Sequence, residues 1–158
     1  MRSRKPFLIA AAGLVSAVLA YFGTGLHPIW WALWLAPIPV LAISPRLRGG
    51  AAFLVAAFAW VIGEMNQWNY VRHQIELPAQ TTILYFVVPA VVFGLGVLFV
   101  RGFVRRGSLF LAALALTVSW VVYEYLTAIA SPHSTWGNLA YTQMNCLPVI
   151  QISAITGV

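Results

Sequence analysis

The chain has 158 residues, of which 61% are hydrophobic and 8% are charged, and its mean hydropathy is +0.87. Soluble domains carry about 25% charged residues, so this composition excludes a soluble globular domain. The sequence instead predicts an integral membrane protein. Because no run alternates polar and apolar residues, as the strands of a membrane barrel do, we expect helical spans.

Five apolar runs approach the roughly 20 residues that a helix needs to cross a bilayer core. They are Phe7–Phe22, Ile29–Ile43, Gly49–Gly63, Ile83–Val100 and Ser108–Ala130. A sixth begins near Leu147 and is cut off by the end of the chain. Pro37 and Pro39 predict a kink or a break in the second run. The predicted fold is all-α, a polytopic bundle of five transmembrane helices plus a truncated sixth.

The first apolar run has a second interpretation. Arg2, Arg4 and Lys5 followed by FLIAAAGLVSAVLA are also typical of a signal peptide, with a small-residue pattern at Ala17–Ala20. Several further apolar runs follow, which favours an uncleaved first helix.

The basic residues are unevenly distributed among the connections. Of nine Lys and Arg, all but Arg72 precede the first run or lie between the second and third or the fourth and fifth. These three segments share one side of the membrane, and basic residues concentrate in cytoplasmic segments, so the N-terminus is predicted to be cytoplasmic. The net charge of +6 is then a topology signal. Nucleic-acid binding, which needs basic residues on a soluble face, is excluded.

Polar and ionisable side chains are predicted to lie mainly on the opposite, outer side of the membrane. The polar segment Ser131–Asn145, the longest polar run of the chain, lies there. Most Trp and Tyr residues lie toward the same ends of the helices, and an interfacial aromatic belt explains most of them. The acids and histidines on this side are Glu64, Glu76, Glu124, His27, His73 and His133.

Two arrangements that carry chemistry elsewhere are incomplete here. Cys146 is the single cysteine; a thiol nucleophile needs a neighbouring base, and only His133 is near. His73 and Glu76 have the H-x-x-E spacing that presents two metal ligands on one helix face, but a site needs a third. We therefore predict an apolar, structural Cys146, a solvated loop at His73 and Glu76, and neither a catalytic nor a metal site.

Glu124 lies within the predicted fifth helix, where a carboxylate is costly and usually faces a cavity or a partner. One interpretation is that it lines a groove open to the outer surface. The other is that it accepts hydrogen bonds from loop backbone amides and holds the polar segment. The two are compatible. A transporter is disfavoured, because no internal repeat and no polar track at mid-bilayer depth is present.

Two stretches resemble bacterial apolipoprotein N-acyltransferases. AYFGTGLHPIWWALWLAPIPVLA is similar to the helix 1–2 hairpin of that family, with its Pro- and Trp-containing turn. WVVYEYL followed by TWGNLAYTQMNCLPVIQISAITGV resembles the family more specifically, in its Trp- and Glu-bearing helix, its Trp-Gly loop and its aromatic–Thr–Gln step. The residues that carry this part are Trp120, Glu124, Trp136, Gly137, Tyr141, Thr142, Gln143, Gln151, Thr156 and Gly157.

The resemblance implies a helical membrane domain at the inner (cytoplasmic) membrane of a bacterium, with polar loops facing the periplasm. It further implies an extracytoplasmic nitrilase-like (carbon–nitrogen hydrolase) domain with a catalytic Glu, Lys and Cys, and no cofactor. In the family these residues transfer an acyl chain from a phospholipid to the N-terminal cysteine of a lipoprotein. This chain departs from that pattern, because it has no lysine after Lys5 and Cys146 does not match the catalytic cysteine.

We therefore predict that residues 1–158 are an incomplete N-terminal membrane domain without the hydrolase domain, inactive by itself. Its predicted role is to dock the membrane phospholipid and the lipoprotein substrate. The residues expected to form the lipid or substrate groove are Glu124, Trp136, Gly137, Tyr141 and Gln143. The alternative is a non-catalytic membrane scaffold or binding subunit that pairs with a separate protein, such as a nitrilase-like one.

Overall fold

The computed structural model describes residues 4–131, 135–152 and 155, and within these ranges it contains helices and no strand. The α-helices in chain order are α1 (Arg4–Gly23), α2 (Trp30–Leu35), α3 (Pro37–Ile43), α4 (Gly49–Glu64), α5 (Ala79–Arg105), α6 (Leu109–Ala130) and α7 (Leu147–Ile150). Between them, 3-10 turns lie at Ser44–Arg46, Met65–Gln67 and Leu139–Gln143, and a π-helical turn lies at Tyr70–Gln74.

Four helices of the described chain are long and apolar enough to cross a membrane, namely α1, α4 with its 3-10 extension, α5 and α6. The prediction of an all-α membrane bundle is confirmed. Most side chains of α6 are exposed, and only Ala112 is buried. In a soluble protein such a helix would be unstable, whereas in a bilayer its apolar surface contacts lipid.

The second predicted span is broken into α2 and α3. Ala36 lies between them with helical dihedral angles, φ −54° and ψ −42°. Pro37 and Pro39 lack the N–H groups that would continue the hydrogen-bond ladder of α2, which explains the break. The residues between α1 and α4 nevertheless return across the bundle, because α1 and α4 run parallel: Gly13 faces Val55 near the middle of both helices, and Ala20 faces Gly63 near their ends.

The packing of α1 against α4 requires small residues. A Cβ built at Gly63 would overlap the Cβ of Ala20, and both residues are buried. Small residues at a helix interface let two backbones approach closely in a membrane, where burial of apolar surface supplies no driving force. The core around this contact lies between α1, α2, α3, α4 and α5, and comprises Ala17, Ala20, Leu33, Ala36, Val40, Ala56, Ala59, Trp60, Ala90, Phe93 and Val97.

Except for Arg72, which follows α4, the arginines of the described connections lie at one end of the bundle. Arg101, near the end of α5, donates from Nε and Nη2 to the Leu47 carbonyl at 3.0 and 2.8 Å. Leu47 lies between Arg46 and Arg48 just before α4 begins. The end of α5 and the start of α4 are therefore adjacent, and the polar segment that follows α6 lies at the opposite end.

The predicted sixth helix is present in the described residues only as α7, a single turn from Leu147 to Ile150. Cys146 occupies its N-cap position without a side-chain capping bond. Thr156 and Gly157, which contribute to the family resemblance, lie outside the described residues, as does His133.

Candidate functional site

A cavity of about 710 Å³ lies between α4, α5 and α6, beneath the part of the polar segment that runs from Thr135 to Leu139. Leu84, Val88 and Pro89 of α5 give it an apolar wall. Glu64 of α4 and Glu124 of α6 both line it, while no Lys, Arg or His side chain of the described residues does so. The cavity therefore combines acyl-compatible surface with two carboxyl groups. Its aromatic lining residues are Trp60, Tyr85, Trp120, Tyr123 and Trp136.

Glu124 lines the cavity and also holds the polar segment. Its Oε1 accepts a hydrogen bond from the indole Nε1 of Trp120, one turn earlier on α6, at 2.9 Å. The same oxygen accepts from the backbone N–H of Leu139 at 2.7 Å. The two geometries considered for Glu124 thus occur together, a position in the groove and a bond to a loop amide.

A chain of three polar side chains crosses from α4 to α5 on the other side of the cavity. The Gln67 amide donates to Oε2 of Glu64, and the Tyr85 hydroxyl donates to Oε1 of Gln67 at 3.0 Å. The Tyr85 ring lies 5.3 Å from the ring of Trp136, centroid to centroid. Trp136 therefore packs against Tyr85 of α5. The Tyr85 hydroxyl is held in place by Gln67, whose amide is in turn bound to the carboxyl group of Glu64.

Sequence reasoning placed Glu64 on the outer side but did not assign Glu64, Gln67 or Tyr85 to the groove. A signal was present, because the spacing W-x-x-x-E occurs twice, at Trp60 with Glu64 and at Trp120 with Glu124. Residues four apart share a helix face, so each pair predicts a tryptophan and a carboxyl group directed to the same side.

The backbone of the polar segment turns sharply above the cavity. Gly137 has φ +87°, a left-handed conformation that glycine adopts without steric cost. Asn138 follows and caps the 3-10 turn Leu139–Gln143, its side-chain oxygen accepting from the Ala140 N–H at 2.8 Å. The glycine in the Trp-Gly pair is therefore needed for the turn that places Trp136 over α5.

Tyr141 lies on the far side of the same turn, in a second cavity of about 270 Å³. Its hydroxyl is 2.9 Å from the hydroxyl of Thr135. Trp136 and Gly137 line both cavities, so this part of the polar segment forms the partition between them. Four of the five groove residues predicted from the sequence, Glu124, Trp136, Gly137 and Tyr141, are thus brought together around one turn.

Gln143 differs from the other four, because it lines neither cavity and only 9% of its surface is exposed. Its Oε1 accepts from the Trp34 indole at 2.9 Å, and its Nε2 donates to the Trp30 carbonyl at 3.1 Å. Nearby, the Asn145 amide donates to the Pro28 carbonyl at 3.2 Å. The structure thus places Gln143 between the polar segment and α2 rather than on the rim of an opening.

The remaining sequence candidates lie apart from the cavities. His73 and Glu76 are exposed near the π-helical turn, and no three His, Cys, Asp or Glu side chains of the described residues lie together as metal ligands would. Cys146 is half-buried and has no disulfide partner. Among the aromatic residues, Trp31 and Tyr125 are exposed, as expected of a membrane belt, whereas Trp120 and Tyr123 line the larger cavity.

Comparison with known proteins agrees with this architecture. The model of the apolipoprotein N-acyltransferase N-terminal domain matches residues 12–158. An apolipoprotein N-acyltransferase of Geobacter metallireducens is 29% identical over 167 residues, which cover 98% of this chain and 30% of the relative. The chain thus spans about 30% of the length of that curated relative. No solved structure matches it. The chain belongs to the apolipoprotein N-acyltransferase family, whose N-terminal membrane domain it represents.

Proposed function

We propose that these helices dock a membrane phospholipid and the lipidated end of a lipoprotein for N-acyl transfer. The observation that carries the proposal is the cavity of about 710 Å³, which joins an apolar wall on α5 to polar groups beneath the polar segment. A diacyl lipid has the same order of parts, with apolar chains below and ester and phosphate groups above. Binding sites of this kind are mostly apolar, with a few polar groups that orient the ligand.

The position of the cavity supports access from the bilayer. It lies between the membrane-spanning helices α4, α5 and α6, so an acyl chain reaches it sideways without crossing water. Trp136 and Tyr141 suit the boundary, because their rings pack against apolar surface while their polar atoms remain near the wet end. The polar segment would then order the head group and support whatever lies above it.

We further propose that the N-terminus lies in the cytoplasm and the cavity at the periplasmic side of the bacterial inner membrane. The support is electrostatic. The described arginines at the start of α4 and the end of α5 lie together at one end of the bundle, and basic residues favour the cytoplasmic side. The cavity lies at the opposite end.

On this proposal, the residues that the structure describes bind the substrates but do not catalyse acyl transfer. Among the side chains that the structure describes, no lysine lines the cavity, and Cys146 lies outside it at the N-cap position of α7. The transfer would be performed by a Glu, Lys and Cys in a nitrilase-like domain that works with this one, as the family resemblance implies. The 158 residues alone should therefore bind lipid and transfer no acyl group.

The test uses the full-length Geobacter metallireducens relative, reconstituted in phospholipid vesicles with a diacylglyceryl-modified peptide as acceptor. Alanine at the position aligned with Trp136 should lower the rate of acyl transfer about 10-fold or more, because an aromatic anchor typically contributes about 2 kcal/mol. Alanine at the position aligned with Trp31, an exposed residue outside both cavities, is the matched control. Equal rates for the two variants would contradict substrate docking at the cavity and would leave these helices a purely structural or scaffold role.

A further inference from the structure

The two cavities adjoin at Glu64. This residue is the last of α4, and it lines both the cavity of about 710 Å³ and the cavity of about 270 Å³. The larger cavity has the apolar wall on α5, whereas polar side chains line much of the smaller one. A ligand group beside Glu64 is therefore within reach of both an apolar and a polar space. The polar side chains of the smaller cavity include Thr24, Gln67, Tyr70, Asn138 and Thr142.

The two carboxyl oxygens of Glu64 are used differently. Oε2 accepts a hydrogen bond from the Gln67 amide. Oε1 has no hydrogen-bond partner among the described residues, although only 8% of the Glu64 surface is exposed. The unpartnered polar atoms that are fully enclosed in the described side chains belong instead to Ser16, Trp60 and Asn66. Oε1 of Glu64 therefore keeps accessible surface, and a ligand in the cavities that border this residue can meet it.

Glu124, the other carboxyl group of the larger cavity, is engaged by the protein itself. Its Oε1 accepts from the Trp120 indole and from the backbone N–H of Leu139. Glu124 thus holds the polar segment, whereas Glu64 makes a single hydrogen bond among the described residues. Of the described carboxyl groups, Glu64 is also the one that lines both cavities.

No positive charge of the described residues lies at Glu64. Described Lys, Arg and His side chains line neither cavity. A carboxylate that is removed from water without a cation and without enough hydrogen-bond donors is costly. An ammonium group on a ligand supplies both, because it carries a positive charge and three N–H donors. The arrangement therefore favours a lipid that carries a primary amine.

The same charges discriminate between two kinds of amine-bearing lipid. In an amine-bearing phospholipid the phosphate is close to the ammonium group, so it would approach Glu64 and Glu124 without a described basic side chain to compensate. The lipidated N-terminal cysteine of a lipoprotein has an α-ammonium group and acyl chains but no phosphate. Its chains suit the apolar wall at Leu84 and Val88, while its ammonium group reaches the junction of the cavities.

We propose that Glu64 is a specificity-determining residue whose Oε1 accepts a hydrogen bond from the α-ammonium group of a lipidated N-terminal cysteine. The acyl chains of this substrate then occupy the larger cavity, and the smaller cavity receives the amino end. The inference rests on the proposed docking function and deepens it, because it assigns one substrate group to one carboxyl oxygen.

The test compares two forms of one dioleoylglyceryl-modified cysteinyl peptide, one with a free amino terminus and one with an acetylated terminus. Binding of each to the full chain in detergent is measured by native mass spectrometry. The unaltered chain should prefer the free amine by about 10-fold or more, as a hydrogen bond between charged groups supplies. Glu64→Met keeps the length of the side chain but removes its charge and oxygens, and should reduce this preference to about 1. Glu76→Met, at an exposed acid outside both cavities, should retain it.

The preference is a ratio within each variant, so a general loss of stability does not imitate the effect. If Glu64→Met fails to fold, Glu64→Gln keeps the polar contact with Gln67, loses the charge and should lower the preference about 3-fold or more.

The contrary outcomes separate this inference from the docking function. Equal binding of the two peptide forms by the unaltered chain, or an unchanged preference in the Glu64 variant, overturns the role of Glu64 and leaves lipid docking standing. If the Glu64 variant instead loses only a preference for dioleoyl phosphatidylethanolamine over dioleoyl phosphatidylcholine, the ammonium group belongs to a phospholipid and the assignment to the lipoprotein is wrong. Binding of no lipid or lipidated peptide by the unaltered chain overturns the docking function itself, and this inference with it.

Discussion

Oε1 of Glu124 accepts a hydrogen bond from the backbone N–H of Leu139 at 2.7 Å, across 15 residues of sequence. The contact joins a membrane-spanning helix to the first residue of the 3-10 turn Leu139–Gln143. A backbone N–H at the membrane boundary needs an acceptor, and here a side chain inside α6 supplies it. The carboxyl group thereby positions the polar segment above the cavity.

Removal of this acceptor should loosen the polar segment. Glu124→Ala leaves the Leu139 N–H and the Trp120 indole without their acceptor, and should lower the free energy of unfolding by about 1–3 kcal/mol. Glu124→Gln keeps a carbonyl oxygen and should cost less. Limited proteolysis within Ser131–Asn145, together with unfolding in mixed micelles, measures both effects. The control is Glu76→Gln, which changes an exposed acid outside both cavities. If Glu124→Ala is cleaved as slowly as this control, Glu124 does not hold the polar segment in place.

Gln143 and Trp34 should be energetically coupled. Their side chains share a hydrogen bond of 2.9 Å between the polar segment and α2. Gln143→Ala and Trp34→Phe should each destabilise the fold, and the double variant should cost less than the sum by about 0.5–1.5 kcal/mol. Unfolding of the four proteins in mixed micelles gives this coupling energy. Strict additivity would show that Gln143 does not hold the polar segment on α2.

Gly137 should resist substitution because of its backbone and not because of crowding. Its φ is +87°, and a Cβ there would meet nothing nearer than the Tyr85 hydroxyl at 3.8 Å. Gly137→Ala should therefore cost about 1–2 kcal/mol through the left-handed conformation, and Gly137→Asn should cost less. Gly102→Ala, inside α5 with nothing within 4 Å, should be neutral or stabilising by up to about 1 kcal/mol. Thermal unfolding monitored by circular dichroism separates the two; equal effects would exclude the conformational explanation.

Gly63 should resist substitution because of crowding and not because of its backbone conformation. Gly63→Ala places a methyl group against the Cβ of Ala20, and overpacking of this kind costs about 1–3 kcal/mol. Ala20→Gly in the same chain removes the overlap and should restore much of the stability. Gly50→Ala on the same helix, with nothing within 4 Å, is the matched control. Unfolding in mixed micelles measures the three variants, and a Gly63→Ala protein as stable as this control would disprove the close contact.

The candidate site was predictable where the chemistry was local. Glu124 and Trp136 stood out because a carboxyl group in an apolar helix and a tryptophan in a polar segment are unusual in their surroundings. Glu64 and Tyr85 did not stand out, since their side chains reach the larger cavity only when α4 and α5 pack together. Gln67 did not stand out either, because it lines only the smaller cavity and its role is to bridge Glu64 and Tyr85. Gln143 was expected in the groove, but its side chain is hydrogen-bonded to the Trp34 indole and the Trp30 carbonyl of α2.

The class of protein, the positions of the long helices and the family all follow from the order of the amino acids. Composition and run length are sufficient for these, because a bilayer requires apolar segments of one length with internal hydrogen bonds. The contact between the Trp60 and Trp120 rings depends instead on helix packing, as does the pairing of the Trp120 N–H with Glu124 while the Trp60 N–H has no partner among the described residues. Such pairings depend on how the helices rotate and approach, and this is decided by contacts between residues far apart in the chain.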